Sequence, residues 1–128
     1  MAPRKPVDPA ELRDALRRVV PWVCGDADDK PPRTDLAAAV RSSARTLEQI
    51  APGSSVEVRI PPFVAVQCIE GPRHTRGTPP NVVETDPLTW LRLVTGRLGF
   101  EDAVSSGAVE ASGSRTGELA HWLPLLRL

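Results

Sequence analysis

Residues 81–128, NVVETDPLTWLRLVTGRLGFEDAVSSGAVEASGSRTGELAHWLPLLRL, hold the succession of helix and strand signals that decides the fold of this chain. Asp86 precedes Pro87, so a carboxylate is placed to cap a helix and the proline lacks only an N–H that would be unpaired there. Apolar side chains then recur at helical spacing, at Leu88, Leu91, Val94 and Leu98. The pattern predicts a helix that packs one stripe against a core.

The rest of this stretch predicts three shorter elements. Residues 100–106 indicate a short helix that ends at Gly107, where glycine tolerates a left-handed conformation. Residues 108–113 alternate small or apolar with polar side chains, as a short strand does. From Ser114 onward the sequence predicts a last helix, which packs Leu119, Leu123 and Leu126.

The first fifty residues predict two amphipathic helices. Asp8 begins a capping box ahead of the first helix, and Pro21 is expected to kink or end that helix. Thr34 or Asp35 is expected to cap the second. The basic, proline-rich residues 1–7 are expected to lack a fixed structure.

Two strands follow, at residues 55–60 and 63–69. The second, FVAVQCI, is almost continuously apolar and is expected to be the more buried of the two. One side of it carries Phe63, Ala65, Gln67 and Ile69, and the other side carries Val64, Val66 and Cys68. Whichever side faces the helices should line any cavity, and the pattern alone leaves that choice open.

Composition narrows the classes of function. The chain has 128 residues, enough for one domain with a single core. Its 16 basic and 16 acidic residues are spread along the sequence, which argues against nucleic-acid binding. No apolar run predicts stable membrane insertion, so we expect a soluble, cytoplasmic protein with two free thiols. The cysteines and histidines form no ligand pattern, and we expect neither a metal nor a cofactor.

The connection at residues 71–81, GPRHTRGTPPN, has two interpretations. Arg73, His74 and Arg76 form a possible anion-recognition set for a carboxylate or phosphate head group. Alternatively, they are solvated cations that pair with nearby glutamates. His74 has no recognisable nucleophile beside it, so we expect no catalytic residue here.

Several motifs resemble the C-terminal half of sterol carrier protein-like domains, and in particular their compact bacterial branch. They are Asp86, Thr89-Trp90, Leu93, Gly96-Arg97-Leu98, Asp102-Ala103-Val104, Gly107, Ser112-Gly113 and the terminal Leu-Pro-Leu-Leu at 123–126. The resemblance covers residues 54–128 and implies an α+β fold: a curved, mainly antiparallel sheet of about five strands covered by helices on one face. It also implies a single domain over 1–128, in which residues 8–53 are an N-terminal helical part.

The resemblance further implies non-catalytic binding of a fatty acyl chain, sterol or similar lipid in an apolar cavity between sheet and helices. The expected lining residues are Phe63, Ala65, Ile69, Trp90, Leu91, Val94, Leu98, Trp122, Leu123 and Leu126. The two tryptophans are equally compatible with plain core filler. The alternative is a protein-interaction or accessory module with a filled core, similar to the C-terminal domain of mycothiol-dependent maleylpyruvate isomerase-like proteins. Either function is compatible with a homodimer or a protein partner.

Overall fold

The computed structural model describes residues 6–25, 30–71 and 81–128 of the chain. Its helices are α1 (Pro9–Val23), α2 (Arg33–Ile50), α3 (Pro87–Val94), α4 (Phe100–Ser105) and a 3-10 helix (Thr116–His121). Its strands are β1 (Val56–Ile60), β2 (Val64–Cys68), β3 (Asn81–Thr85) and β4 (Val109–Ser112).

The four strands form one mixed sheet in the order β2-β1-β3-β4. β1 pairs antiparallel with β2 and parallel with β3, and β3 pairs antiparallel with β4. The α+β class is confirmed, whereas the prediction of about five strands exceeds the four that the described residues form. β3 is a strand that the sequence analysis did not predict.

Helices cover one face of the sheet. Val58 of β1, Val66 of β2 and Val83 of β3 are buried on that face. On the opposite face, Arg59 and Gln67 are at least partly open to solvent. α1 and α2 pack together as a hairpin, α2 lies against β2, and α3 contacts both helices. The core therefore lies between the helices and a single sheet face.

Two of the predicted helix starts are confirmed. An Asp8 carboxylate oxygen accepts a hydrogen bond from the backbone N–H of Ala10 (2.9 Å) at the start of α1. Asp86 accepts one from the backbone N–H of Thr89 (2.6 Å) at the start of α3. Each aspartate thereby pairs an amide that has no partner within its own helix.

Other helix limits differ from the prediction. α1 runs through Pro21 to Val23, so Pro21 does not end it, and the N–H of Cys24 closes the helix by donating to the Val20 carbonyl (2.8 Å). α2 begins at Arg33, directly after Pro32, and has no side-chain cap. The predicted cap at residue 34 or 35 is therefore wrong, because both residues are already inside the helix.

The last predicted helix is shorter than expected. It is a 3-10 helix that ends at His121, and Leu123 and Leu126 follow it in a segment without regular structure. The backbone N–H groups of Leu125 and Leu126 donate to the Val94 carbonyl (2.9 and 3.2 Å), which ties this segment to the end of α3. Across the described ranges, no helix is both long and apolar enough to cross a bilayer.

Candidate ligand-binding site

The predicted cavity residues of α3 are buried in the core. Trp90, Leu91 and Val94 are each 0% exposed. The indole Nε1 of Trp90 donates to the Ser43 hydroxyl at 2.8 Å, and Ser43 is itself fully buried. These three predicted cavity residues are thus members of the packed core.

β2 turns the other of its two sides toward the helices. Val66 and Cys68 are buried, whereas Ala65 and Gln67 are exposed. The prediction that Ala65 lines a cavity under the helices is wrong, because strand alternation places it on the solvent face. Phe63 precedes the strand and is buried, with the guanidinium carbon of Arg33 5.1 Å from the centre of its ring.

The remaining predicted lining residues lie at two separate places on the surface. Leu98 and Leu123 border a depression of about 340 Å³ beside α4. Ile69 and Trp122 border another of about 450 Å³. Leu126 is half-buried against the core.

Five depressions of the described surface have volumes of about 230 to 450 Å³, and all open to solvent. None of these five is lined by Trp90, Leu91 or Val94. The predicted set therefore does not converge on one internal tunnel in the part of the chain that the structure describes.

The largest of these depressions, named here the Ile69–Trp122 groove, combines apolar and charged side chains. It is lined by Ile69, Glu70, Glu118, His121 and Trp122. Ile69 is only 6% exposed, while Trp122 is 37% exposed and is one of the few large apolar side chains left open on the surface. The groove therefore presents an apolar surface with two carboxylates and an imidazole around it.

Backbone hydrogen bonds fix the Ile69 side of the groove. Ile69 has a φ of +69°, an uncommon conformation for a β-branched residue. Its N–H donates to the Ala51 carbonyl (2.7 Å), and its carbonyl accepts from the backbone N–H and the hydroxyl of Ser55 (3.1 and 2.7 Å). This left-handed residue ends the alternation of β2 and buries the isoleucine side chain at the corner of the sheet.

The 3-10 helix supplies the opposite side. Leu119 is 0% exposed and anchors the helix in the core. The N–H of Trp122 donates to the Leu119 carbonyl at 3.0 Å. With Leu119 directed inward, Glu118, His121 and Trp122 surround the groove.

Arg115 joins the two sides. Its Nε and Nη2 donate to the two carboxylate oxygens of Glu118 (2.6 and 2.9 Å), and Nη2 also donates to the Glu70 carbonyl (2.9 Å). The hydrogen bonds from Arg115 lower the pKa of the Glu118 carboxyl. Glu118 is therefore held as an anion. Nε and Nη2 of its guanidinium partner are already engaged, whereas the buried Nη1 has no hydrogen-bond partner among the described residues.

Three further expectations from the sequence concern an anion site, a reactive thiol and a metal site. Arg73, His74 and Arg76 lie outside the described residues. Burial raises the pKa of the Cys68 thiol to about 12, which makes it a poor nucleophile at neutral pH. Within residues 6–25, 30–71 and 81–128, no group of three or more His, Cys, Asp or Glu side chains is placed to hold a metal ion.

Glu70, Glu118 and His121 were not predicted as site residues from the sequence. A signal was present for two of them, because residues 118, 121 and 122 are separated by the three and four positions that place side chains on one face of a helical turn. Nothing local connects that face with residue 70.

The fold, with helices on one face of an open four-stranded sheet and a groove at its corner, defines a small α+β domain. The chain matches the family described as Bacterial SCP ortholog over residues 32–125, and it belongs to this bacterial sterol carrier protein-like family. The match takes in α2 as well as residues 54–125, which is most of the segment that carries the motifs. A search of curated proteins found no match to the chain.

Proposed function

We propose that this protein binds one hydrophobic ligand, such as a fatty acyl chain, a sterol or a similar lipid, and catalyses no reaction. Membership of the sterol carrier protein-like family supports binding of a hydrophobe. The observation that carries the proposal is the 37% exposure of Trp122 beside Ile69, above a groove of about 450 Å³. Small-molecule sites have volumes of roughly 300–1,000 Å³, so the groove is large enough for part of a lipid tail.

The site proposed here is on the surface and not between the sheet and α3. Binding there would be driven by removal of the tail and the Trp122 indole from water. Each methylene buried contributes about 0.8 kcal/mol, so two further methylenes should tighten binding roughly 15-fold until the groove is full.

A chain-length series tests this proposal. Native mass spectrometry of the purified protein first identifies any lipid that is already bound. Calorimetric titration with amphiphiles of increasing tail length should then show saturable one-to-one uptake with that dependence on length.

The matched variants are Trp122→Ala and Val104→Ala. Both side chains are exposed large hydrophobic groups, at 37% and 38%, but Val104 borders a different depression. We expect at least a 10-fold loss of affinity in the first and no change in the second, because truncating an aromatic anchor removes most of the apolar contact. No uptake of any amphiphile at micromolar concentration would refute lipid binding.

The second candidate is a protein-interaction or accessory module. The observation that favours it is the filled interior around Trp90, which is 0% exposed and hydrogen-bonded to buried Ser43. In the titration, a protein of this kind would take up no amphiphile of any tail length, and the exposed Trp122 would instead be expected to contact a partner protein.

A further inference from the structure

We propose that the Ile69–Trp122 groove selects an apolar ligand with a cationic nitrogen head, a long-chain amine or quaternary ammonium compound, over one with a carboxylate head. The inference rests on the proposed function and specifies its ligand class. It follows from the charges that surround the groove and from the exposed aromatic ring within it.

The charges around the groove are unbalanced. Glu70 and Glu118 line it, and the guanidinium that contacts both residues is that of Arg115. The Nε and Nη2 groups of Arg115 donate hydrogen bonds to the Glu118 carboxylate and the Glu70 backbone carbonyl. Among the described residues, the Glu70 carboxylate has no hydrogen-bond or ion-pair partner, so within that part of the chain one negative charge at the groove is unpaired.

The backbone that carries this side chain is held at a fixed place. The Glu70 carbonyl is tied to Arg115 at 2.9 Å, and the preceding residue, Ile69, is held by hydrogen bonds to Ala51 and Ser55. The backbone that carries the Glu70 side chain is thus joined both to the sheet and to the 3-10 helix. A ligand tail lying on Ile69 and Trp122 would place its head group within reach of this carboxylate.

The aromatic ring acts in the same direction. The face of a tryptophan ring attracts an ammonium group and repels an anion, and the attraction is greatest where water is excluded. Trp122 lines the groove with 37% of its surface open. A cation is therefore favoured by both Glu70 and Trp122, whereas a carboxylate is opposed by both.

Two amphiphiles with the same tail separate head-group selection from tail binding. Dodecyltrimethylammonium and dodecanoate are titrated into the full chain at low ionic strength, below their micelle concentrations, with circular dichroism to show that the protein stays folded. We expect dodecyltrimethylammonium to bind roughly 10-fold to 100-fold more tightly than dodecanoate.

Glu70→Gln keeps the size of the side chain and removes its charge, so it should reduce this preference to about 3-fold or less. The control is Glu110→Gln. Glu110 is an exposed glutamate on the uncovered face of β4, away from the groove, and its substitution should leave the preference unchanged.

The other outcomes of the titration separate failure of lipid binding from failure of head-group selection. If neither amphiphile binds, the proposed function itself fails. If both bind with equal affinity, or if the preference survives in Glu70→Gln, lipid binding stands and the head-group assignment is overturned. Tighter binding of dodecanoate would also overturn it and would direct attention to Arg73, His74 and Arg76.

Discussion

Replacing Ser43 with alanine should destabilise this protein mainly by leaving the indole N–H of Trp90 without an acceptor. Trp90 Nε1 donates to Ser43 Oγ at 2.8 Å, and both residues are 0% exposed. The Ser43 hydroxyl lies 2.7 Å from the Ala39 carbonyl and 3.0 Å from the Val40 carbonyl, so its own proton is directed along α2. The alanine variant removes the acceptor and little volume.

The expected cost follows from that arrangement. A buried donor left unpaired costs about 1–3 kcal/mol. Alanine is the better helix former by roughly 0.5 kcal/mol, which offsets part of this cost. The net loss of unfolding free energy should be about 0.5–2.5 kcal/mol, equivalent to a fall in melting temperature of roughly 2–10 °C for a chain of this length.

A double-mutant cycle with Trp90→Phe isolates the hydrogen bond. Phenylalanine has no N–H, so Ser43→Ala should cost less than about 0.5 kcal/mol in the Trp90→Phe background. Urea unfolding of the four proteins, followed by far-ultraviolet circular dichroism, measures the coupling, which we expect to be about 1–2 kcal/mol. If the two substitutions are additive within about 0.5 kcal/mol, the indole N–H is not held by Ser43 and this view of the core is wrong.

Three further predictions concern a helix cap, two glycines and the cysteines. Asp86→Ala should lower the free energy of unfolding by about 0.5–2 kcal/mol in thermal melts, because the Asp86 carboxylate accepts a backbone N–H at 2.6 Å. Asp86→Asn should lower it by less, and equal losses in the two variants would contradict capping. Gly53→Ala should lower the free energy of unfolding, measured in urea, by more than Gly107→Ala does. A methyl group at Gly53 would clash with the backbone at the end of β2, whereas a methyl group at Gly107 would meet nothing within 4 Å. Both have positive φ, +149° and +83°, so similar costs would show that the close contact is relieved. Iodoacetamide at pH 8 should modify exposed Cys24 in the folded protein and buried Cys68 only in urea, as counted by mass spectrometry. Burial raises the pKa of Cys68 from 9.0 to about 12, so its contribution to stability is full below pH 9 and is lost as the pH rises toward 12. Stability should therefore fall more steeply above pH 9 in the wild type than in Cys68→Ala, and parallel pH profiles would refute the shift.

The elements that could be predicted from the sequence are those whose signals are local. Asp8 and Asp86 each precede a proline, and both cap the helix that the spacing predicts. Gly107 has the predicted positive φ after α4. The strand predicted from the alternation of residues 108–113 is present as β4. Family membership was also accessible, because the motifs after Asp86 lie close together in the chain.

The order of the strands in the sheet depends on tertiary contacts and could not be predicted from the sequence. β3 spans just five residues, Asn81–Thr85, and pairs directly and in parallel with β1, although β2 lies between them in the sequence. Such a pairing leaves no short-range signal, since the stability of a central strand comes from its neighbours and not from its own propensity. The face of β2 that meets the helices was undetermined for the same reason, because burial of Val66 and exposure of Ala65 depend on where α2 packs.

The groove is likewise a tertiary product. Glu70 and Glu118 are far apart in the chain and meet because Arg115 binds the carbonyl of one and the carboxylate of the other. The sequence does supply the apolar and charged groups, and the hydrophobic effect explains why Trp90 is buried. The sequence does not reveal that the Trp122 side chain stays exposed to solvent. A tryptophan is buried only where another element covers it, and Trp122 lies just after the end of the 3-10 helix at His121.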